Sequence, residues 1–250
     1  MAKKCSVSPL RAGMSSLYSC SNNFGVSIPL RAGMSQDILQ VLKNYKTKNS
    51  IVYNSEFFRN HMKYRPIYDF IGDIIVGNFK PESVIDWGCG CGFLIERLYR
   101  HGIDKLLGIE GSRDVMEFWK SEIIKIVQSK LVISDIIDFV DTDGQYDMAV
   151  CMEVAEHLPE EKADDLVKKV VLSAKNYIWW TAAQPGQDGD GHINCQPICY
   201  WKDKFEHNSY FKVNWEKTYK IKQIMLQNHA ICLGYPWFRD NLLLLESYCD

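Results

Sequence analysis

The sequence predicts an α/β protein whose mostly parallel sheet is covered by helices on both faces. Two observations carry this. From Pro66 to Thr181, short apolar runs of strand length alternate with segments of helical periodicity, the rhythm of successive β-α-β units. The runs themselves, such as Val84-Ile85-Asp86 and Leu131-Val132-Ile133, are short and buried in character, as in a sheet with no face to water. Each crossover is then expected to be right-handed.

The elements follow in chain order. Pro9-Leu10-Arg11-Ala12-Gly13-Met14-Ser15 recurs unchanged as Pro29-Leu30-Arg31-Ala32-Gly33-Met34-Ser35. Two copies are too few for a solenoid, and the surrounding segment is rich in Ser, Gly and Asn. Residues 1–35 are therefore expected to form a disordered tail, and residues 36–250 the folded domain. Met34 offers an alternative start that leaves the tail outside the domain. Ile38, Leu39, Val41 and Leu42 share one face of a short helix. Pro66 opens a longer one, with Ile67, Phe70, Ile71, Ile74 and Ile75 at core-facing spacing and Gly77-Asn78 at its end. Strand one is Val84–Asp86, followed by a helix over Phe93–Tyr99. Strand two is Leu106–Glu110. Ser112 then caps a helix that turns Val115, Phe118, Trp119, Ile123 and Ile126 to the core. Leu131–Ile133 and Tyr146–Met152 are strands three and four. A helix over Glu160–Ala174 leads to strand five, Asn176–Thr181. A Gly-rich loop to His192 breaks the rhythm. Beyond it come a helix over Pro197–His207, a strand over Phe211–Asn214, a helix over Glu216–Gln227 and a last apolar strand, Leu242–Leu245.

Composition narrows the function. Of 250 residues, 46% are hydrophobic and 24% charged, which is ordinary for a globular chain. Lys plus Arg number 29 against 31 Asp plus Glu, a net charge of −2. That leaves no basic excess for holding a nucleic-acid backbone. No apolar run approaches bilayer-spanning length. The basic start Met1–Lys4 lacks the apolar stretch of a secretory leader. Nine cysteines without a C-x-x-C pair suggest reduced thiols in the cytoplasm.

The strongest local signal is Asp86-Trp87-Gly88-Cys89-Gly90-Cys91-Gly92, between a strand and a helix. Three glycines in five residues make a tight cradle at the carboxyl end of a strand, where open α/β sheets bind ligands. The Gly-Lys-Ser/Thr of a phosphate loop is absent. An acid just before the first glycine would repel a pyrophosphate but attract a cationic ligand. Glu110, ending strand two, is placed to accept both hydroxyls of a ribose, although a solvated strand-end acid is an equal reading. Asp135, just past strand three, can bind an adenine edge or cap a helix.

Together these residues resemble the class I S-adenosylmethionine-dependent methyltransferases, over residues from about 50 to 247. The likeness rests on Val84–Gly92, on Gly108-Ile109-Glu110-Gly111-Ser112, and on Tyr146–Pro159. The last stretch is similar to the branch that methylates small molecules, sugars and quinones. The resemblance implies a Rossmann-like, seven-stranded sheet in the order 3-2-1-4-5-7-6, with only strand seven antiparallel. It implies S-adenosylmethionine as cofactor and S-adenosylhomocysteine as product. Asp86, Gly88, Cys89, Gly90 and Gly92 would hold the methionine end. Glu110 would take the ribose, with Gly111 beside it among the cofactor-binding residues, Asp135 and the Ile136 amide the adenine, and Met152 and Glu153 would line the floor. The Asn/Asp-Pro-Pro-Tyr/Phe of adenine and glutamine methylators is replaced by Cys151-Met152-Glu153-Val154. Glu153 and Glu156 could mimic the acids of metal-dependent catechol enzymes, but the matching later Asp-Asn pair is missing, so no metal is assigned.

The acceptor is expected to be a small molecule or glycan precursor, O-methylated by in-line displacement. A sugar hydroxyl benefits from a general base, worth about 10²–10⁴-fold. His192, in the loop Pro185–Pro197, and His157 are the candidates; a loop histidine bonded only to backbone is an equal reading for the first. Asn194, Gln196, Tyr200 and Trp201 can supply acceptor contacts, although the two aromatics fit a core equally. Tyr53, Tyr64 and Arg65 are read as structural, and Trp179, Trp180, Trp215 and Trp237 as core. Two rival readings stand beside this one: a protein or peptide methyltransferase whose repeated N-terminal segment engages the partner, and a cofactor-binding module without turnover.

Overall fold

A computed structural model describes residues 53–121, 124–141, 144–228 and 234–248. The expected tail and the helix around Ile38 lie outside these residues. Seven strands form one sheet: β1 (Ser83–Trp87), β2 (Lys105–Glu110), β3 (Leu131–Ile133), β4 (Tyr146–Met152), β5 (Ala174–Thr181), β6 (Phe211–Val213) and β7 (Leu243–Ser247). Their order is β3-β2-β1-β4-β5-β7-β6, as the resemblance implies. The pairs among β1 to β5 are parallel, and β7 runs antiparallel to both β5 and β6. The described helices are α1 (Ser55–His61), α2 (Arg65–Phe79), α3 (Phe93–Arg100), α4 (Met116–Trp119), α5 (Ala163–Ser173), α6 (Ile198–Asn208), α7 (Trp215–Gln227) and α8 (Trp237–Asp240).

The order follows from burial. All five residues of β1 are buried, so it belongs at the centre, flanked by β2 and β4. In α2, Ile67, Ile71, Ile74 and Ile75 are buried as the spacing predicts. That helix runs past Gly77-Asn78 to Phe79, and Lys80 closes it in the left-handed region. The helix expected after Ser112 is broken. Val115 ends a short 3-10 turn, α4 is a single turn, and a second 3-10 segment covers Lys125–Lys130. Val115 and Trp119 are buried, but Ile126 is 46% exposed and Val127 takes the inward position. Three residues per turn in that segment shift the inward face by one residue. Ile123 lies outside the described residues.

Two boundaries also move. β5 begins at Ala174, two residues early, because Ala174 already pairs with Tyr146 in the sheet. Asn214 leaves β6 to cap α7, its side chain accepting a hydrogen bond from the Lys217 amide. Trp179 and Trp180 are core as expected, while Trp215, at the start of α7, is 52% exposed. The sequence reading missed α1, whose start is fixed by Asn54 accepting from the amides of Glu56 and Phe57. No described helix is long and apolar enough to cross a membrane.

Candidate active site

The parallel pairing of β3, β2, β1 and β4 puts Asp135, Glu110, the glycine turn, Met152 and Glu153 along one edge of the sheet. The turn is built from backbone that other residues adopt at a cost. Gly88, Gly90 and Gly92 have φ of 82°, 50° and 78°. A Cβ on Gly88 would meet Val154 Cγ2 at 2.3 Å, whereas one on Gly90 would find its nearest neighbour, His61 Cδ2, at 4.0 Å. The chain therefore closes tightly beneath Gly88 and leaves space above Gly90. The Gly88 and Cys89 amides both donate to the Ile109 carbonyl at 2.9 Å. Cys89 turns its thiol inward, against Gly108. It borders the crevice through backbone alone, and burial pushes its thiol well up. The Trp119 indole donates to the Gly90 carbonyl at 2.9 Å.

Two acids face this turn. Glu110 Oε2 accepts from the Gly90 amide at 3.1 Å, and Oε1 from the Ser112 amide at 2.9 Å. The carboxylate thus splints the turn, and each oxygen keeps a further lone pair for a ligand hydroxyl. Burial raises its pKa and these amides offset part of that. Gly111, next along, is exposed at the crevice rim. Asp86 is 2% exposed. Burial first, and the Glu110 charge second, push its pKa up to about 8. Among the described residues no cation offsets this carboxylate, so the turn holds an acid ready for a positive ligand.

The remaining expected residues divide. Asp135 Oδ1 accepts from the Ile137 amide at 2.9 Å, the turn-capping role weighed against adenine binding, and half-buried Ile136 follows it at the strand end. Met152 is buried at the end of β4. Glu153 holds φ 53°, a conformation costing about 1–3 kcal/mol outside glycine. Its amide is secured by the Thr181 carbonyl and hydroxyl at 3.0 and 3.1 Å. Its carboxylate accepts from Asn241 Nδ2 at 3.2 Å and Gln187 Nε2 at 3.3 Å. Asn241 Nδ2 also donates to Gln187 Oε1 at 3.0 Å. This network ties β4 to the loop after β5. Asn241 was missed because nothing near it in sequence signals a site.

That loop is pinned to the segment following β4. The amides of Ile193 and Asn194 both donate to the Glu156 carbonyl, at 2.8 and 2.9 Å. His192 and His157 are thereby brought together, ring centroids 4.9 Å apart and edge to face. His192 Nδ1 lies 3.1 Å from the Gln187 carbonyl. A carbonyl only accepts, so Nδ1 carries a proton, and Nε2 lies 3.9 Å from Glu156 Oε1. Burial, with His192 beside it, lowers the His157 pKa to about 4. Buried Asn194 accepts from Gln196 Nε2 at 2.9 Å. Trp201 belongs to the core, 1% exposed and 5.0 Å from Trp180, and Tyr200 carries Lys204 over its ring. Trp201 therefore takes the core reading, whereas Tyr200 is only partly buried.

The side of the crevice above the glycine turn is aromatic. Phe57 stacks on His61 at 5.2 Å, and His61 meets Tyr64 edge-on at 4.7 Å. Tyr53, which the sequence assigned to structure, spans both halves of the site. Its carbonyl accepts from Ser112 Oγ at 2.6 Å, and its ring lies 5.3 Å from His157. Arg65 instead pairs with buried Glu96 and with Asp69, a structural role.

Residues 84–176 match the family profile described as a methyltransferase domain. Over those residues the chain is similar to a methyltransferase domain. The matched segment of this domain runs from β1 through the start of β5 and includes the glycine turn, Glu110, Asp135 and His157. The chain is 26% identical over 117 residues to the ubiquinone biosynthesis O-methyltransferase of Acinetobacter baylyi, covering 42% of this chain and 48% of that protein. It is 29% identical over 111 residues to the protein of that name from Nitrosomonas europaea, covering 43% and 46%. The domain thus spans about half the length of the curated relatives it matches. The fold is similar to that of magnesium protoporphyrin IX methyltransferase from Synechocystis, solved with bound S-adenosylhomocysteine. The TM-score is 0.52 at 17% identity, over 67% of this chain and 90% of that one.

Proposed function

We propose that the protein is an S-adenosylmethionine-dependent methyltransferase of the cytoplasm that O-methylates a small molecule or glycan precursor. The observation carrying this is the uncompensated Asp86 carboxylate beneath an open, three-glycine turn that Glu110 splints. A cationic amino group answers that acid, and a ribose diol answers the free lone pairs of Glu110. The relatives' names as O-methyltransferases of ubiquinone biosynthesis support oxygen as the acceptor atom.

S-adenosylmethionine, when bound, supplies an activated methyl on a sulfonium sulfur. Asp86 and the turn amides hold its methionine end, Glu110 its ribose, and Asp135 with the Ile136 amide its adenine. Met152 and Glu153 form the floor. The aromatic wall of Phe57, His61 and Tyr64 excludes water. Glu156, His157 and His192 handle the acceptor hydroxyl and its proton. Positioning aligns the methyl for transfer, and a hydroxyl, being a poor nucleophile, needs the general base besides.

Calorimetry with S-adenosylmethionine and S-adenosylhomocysteine tests the cofactor half. Wild type should bind at micromolar Kd and Glu110→Ala at least tenfold more weakly. Absence of binding to wild type removes the proposal. Turnover on a panel of phenolic and sugar acceptors tests the rest. His192→Ala should lose turnover while keeping cofactor affinity, and undiminished turnover in that variant clears His192 of its role.

A further inference from the structure

We infer that the Tyr68 hydroxyl, oriented by His61, binds the α-carboxylate of the cofactor and so selects the complete amino-acid ligand over its decarboxylated form. The inference rests on the proposed cofactor reading, in which Asp86 takes the ammonium. An α-amino acid carries its ammonium and its carboxylate on one carbon. An ammonium on Asp86 therefore brings an anion into the same corner of the crevice, and that anion needs a hydrogen-bond donor. The glycine turn has little backbone left to offer. The Gly88 and Cys89 amides donate to the Ile109 carbonyl, the Gly90 amide to Glu110 and the Gly92 amide to the Cys89 carbonyl. The Arg65 guanidinium is engaged by Glu96 and Asp69.

Tyr68 meets the need by position. Burial first, and the Asp86 charge second, raise the pKa of Tyr68, Cys89 and Cys151, which sets these three protonated groups near that carboxylate. The Cys151 thiol is wholly buried in β4, and the Cys89 thiol is turned inward against Gly108. Of the three, Tyr68 alone is partly exposed. Its phenol stays protonated and is therefore a donor, not an anion. The ring is fixed in the first turn of α2, edge-on to Phe238 at 5.5 Å and tilted against Phe93 at 6.2 Å. Glu153, whose charge also acts on Tyr68, is already held by Asn241 and Gln187.

His61 sets the direction of that hydroxyl. Its Nε2 lies 3.4 Å from the Tyr68 oxygen. Phe57, stacked at 5.2 Å, and Tyr64, edge-on at 4.7 Å, hold the imidazole above Gly90. Burial first, and Lys63 second, lower its pKa to about 4. At neutral pH it is therefore an uncharged ring with one N–H and one lone pair. With the proton on Nε2, the imidazole donates to the Tyr68 oxygen and leaves the phenolic proton for the ligand carboxylate. Both groups stay neutral, so the pair adds nothing to the proton exchange at Asp86. A ligand without the carboxylate gains nothing from either residue.

The test is calorimetry on the full chain at one pH with two ligands, S-adenosylhomocysteine and its analogue with hydrogen in place of the carboxylate. Wild type should bind the analogue about tenfold more weakly, or worse, as for the loss of one hydrogen bond to a charged group. Tyr68→Phe removes one oxygen from a packed ring. It should weaken S-adenosylhomocysteine about tenfold and leave the analogue's affinity in place, so that the two ligands bind alike. His61→Phe should shrink the same ratio, and adding it to Tyr68→Phe should shrink it no further. Damage to the fold, checked by circular dichroism, lowers both affinities together and leaves their ratio alone. Equal affinity of wild type for the two ligands, or an unchanged ratio in Tyr68→Phe, overturns the carboxylate site. An unchanged ratio in His61→Phe overturns the positioning role. Wild type that binds neither ligand removes the methyltransferase reading and this site with it, a result distinct from the others.

Discussion

The Asp86 carboxyl gives the sharpest test of the cofactor crevice. In the unliganded chain burial and the Glu110 charge hold its pKa at about 8. A bound ammonium needs the carboxylate, so binding at neutral pH must release a proton. The ionised share is about 1% at pH 6, about 10% at pH 7 and half at pH 8. Affinity for S-adenosylhomocysteine should therefore rise about 50-fold from pH 6 to pH 8, a difference of about 2.3 kcal/mol. The sign for stability is opposite. With the folded value above the unfolded one, the unliganded chain loses stability as pH rises from about 4 to about 8. Bound ligand should reverse that trend. Isothermal titration in buffers of different ionisation enthalpy reads both the affinity and the proton count. Asp86→Asn should flatten the profile and lie at least tenfold below wild type at pH 8. A wild-type affinity independent of pH, or an unchanged slope in Asp86→Asn, refutes the reasoning.

Further substitutions probe neighbouring parts. Glu110→Gln removes the charge that helps raise Asp86, so the midpoint of the affinity profile should move to lower pH even as affinity falls. Gly88→Ala places a methyl 2.3 Å from Val154 Cγ2 at φ 82°. It should cost about 2–4 kcal/mol from strain and overpacking, read as a lowered midpoint in denaturant. Trp201→Ala empties a fully buried position beside Trp180 and should cost about 3–5 kcal/mol, with S-adenosylhomocysteine affinity retained in the folded fraction. Asn241→Ala removes the amide that bridges Glu153 and Gln187 and leaves only their direct hydrogen bond, and should raise the acceptor KM more than the cofactor Kd, checked by steady-state kinetics.

The central sheet and its cofactor edge were legible because local chemistry specifies them. A buried run such as Val84-Ile85-Asp86 has one way to hide both faces, and three glycines in five residues encode positive φ without help from distant chain. The continuous helix drawn through Ile123 and Ile126 failed for a related reason. Periodicity records which residues are apolar, but it does not record the switch to a 3-10 segment, which turns Val127 inward in place of Ile126. The carboxylate–histidine cluster was out of reach of the sequence. Glu156 and His157 are adjacent in the chain, but His192 reaches them only because the Glu156 carbonyl captures the Ile193 and Asn194 amides. Asn241 meets Glu153 only because its chain segment leads into β7, paired beside β5. The sequence by itself determined the strand order's raw material, the glycine turn and the two acids that face it. The tertiary structure alone decided that the Glu156 carboxyl is buried and that two histidines converge on it, because those contacts join segments whose encounter depends on the packed sheet.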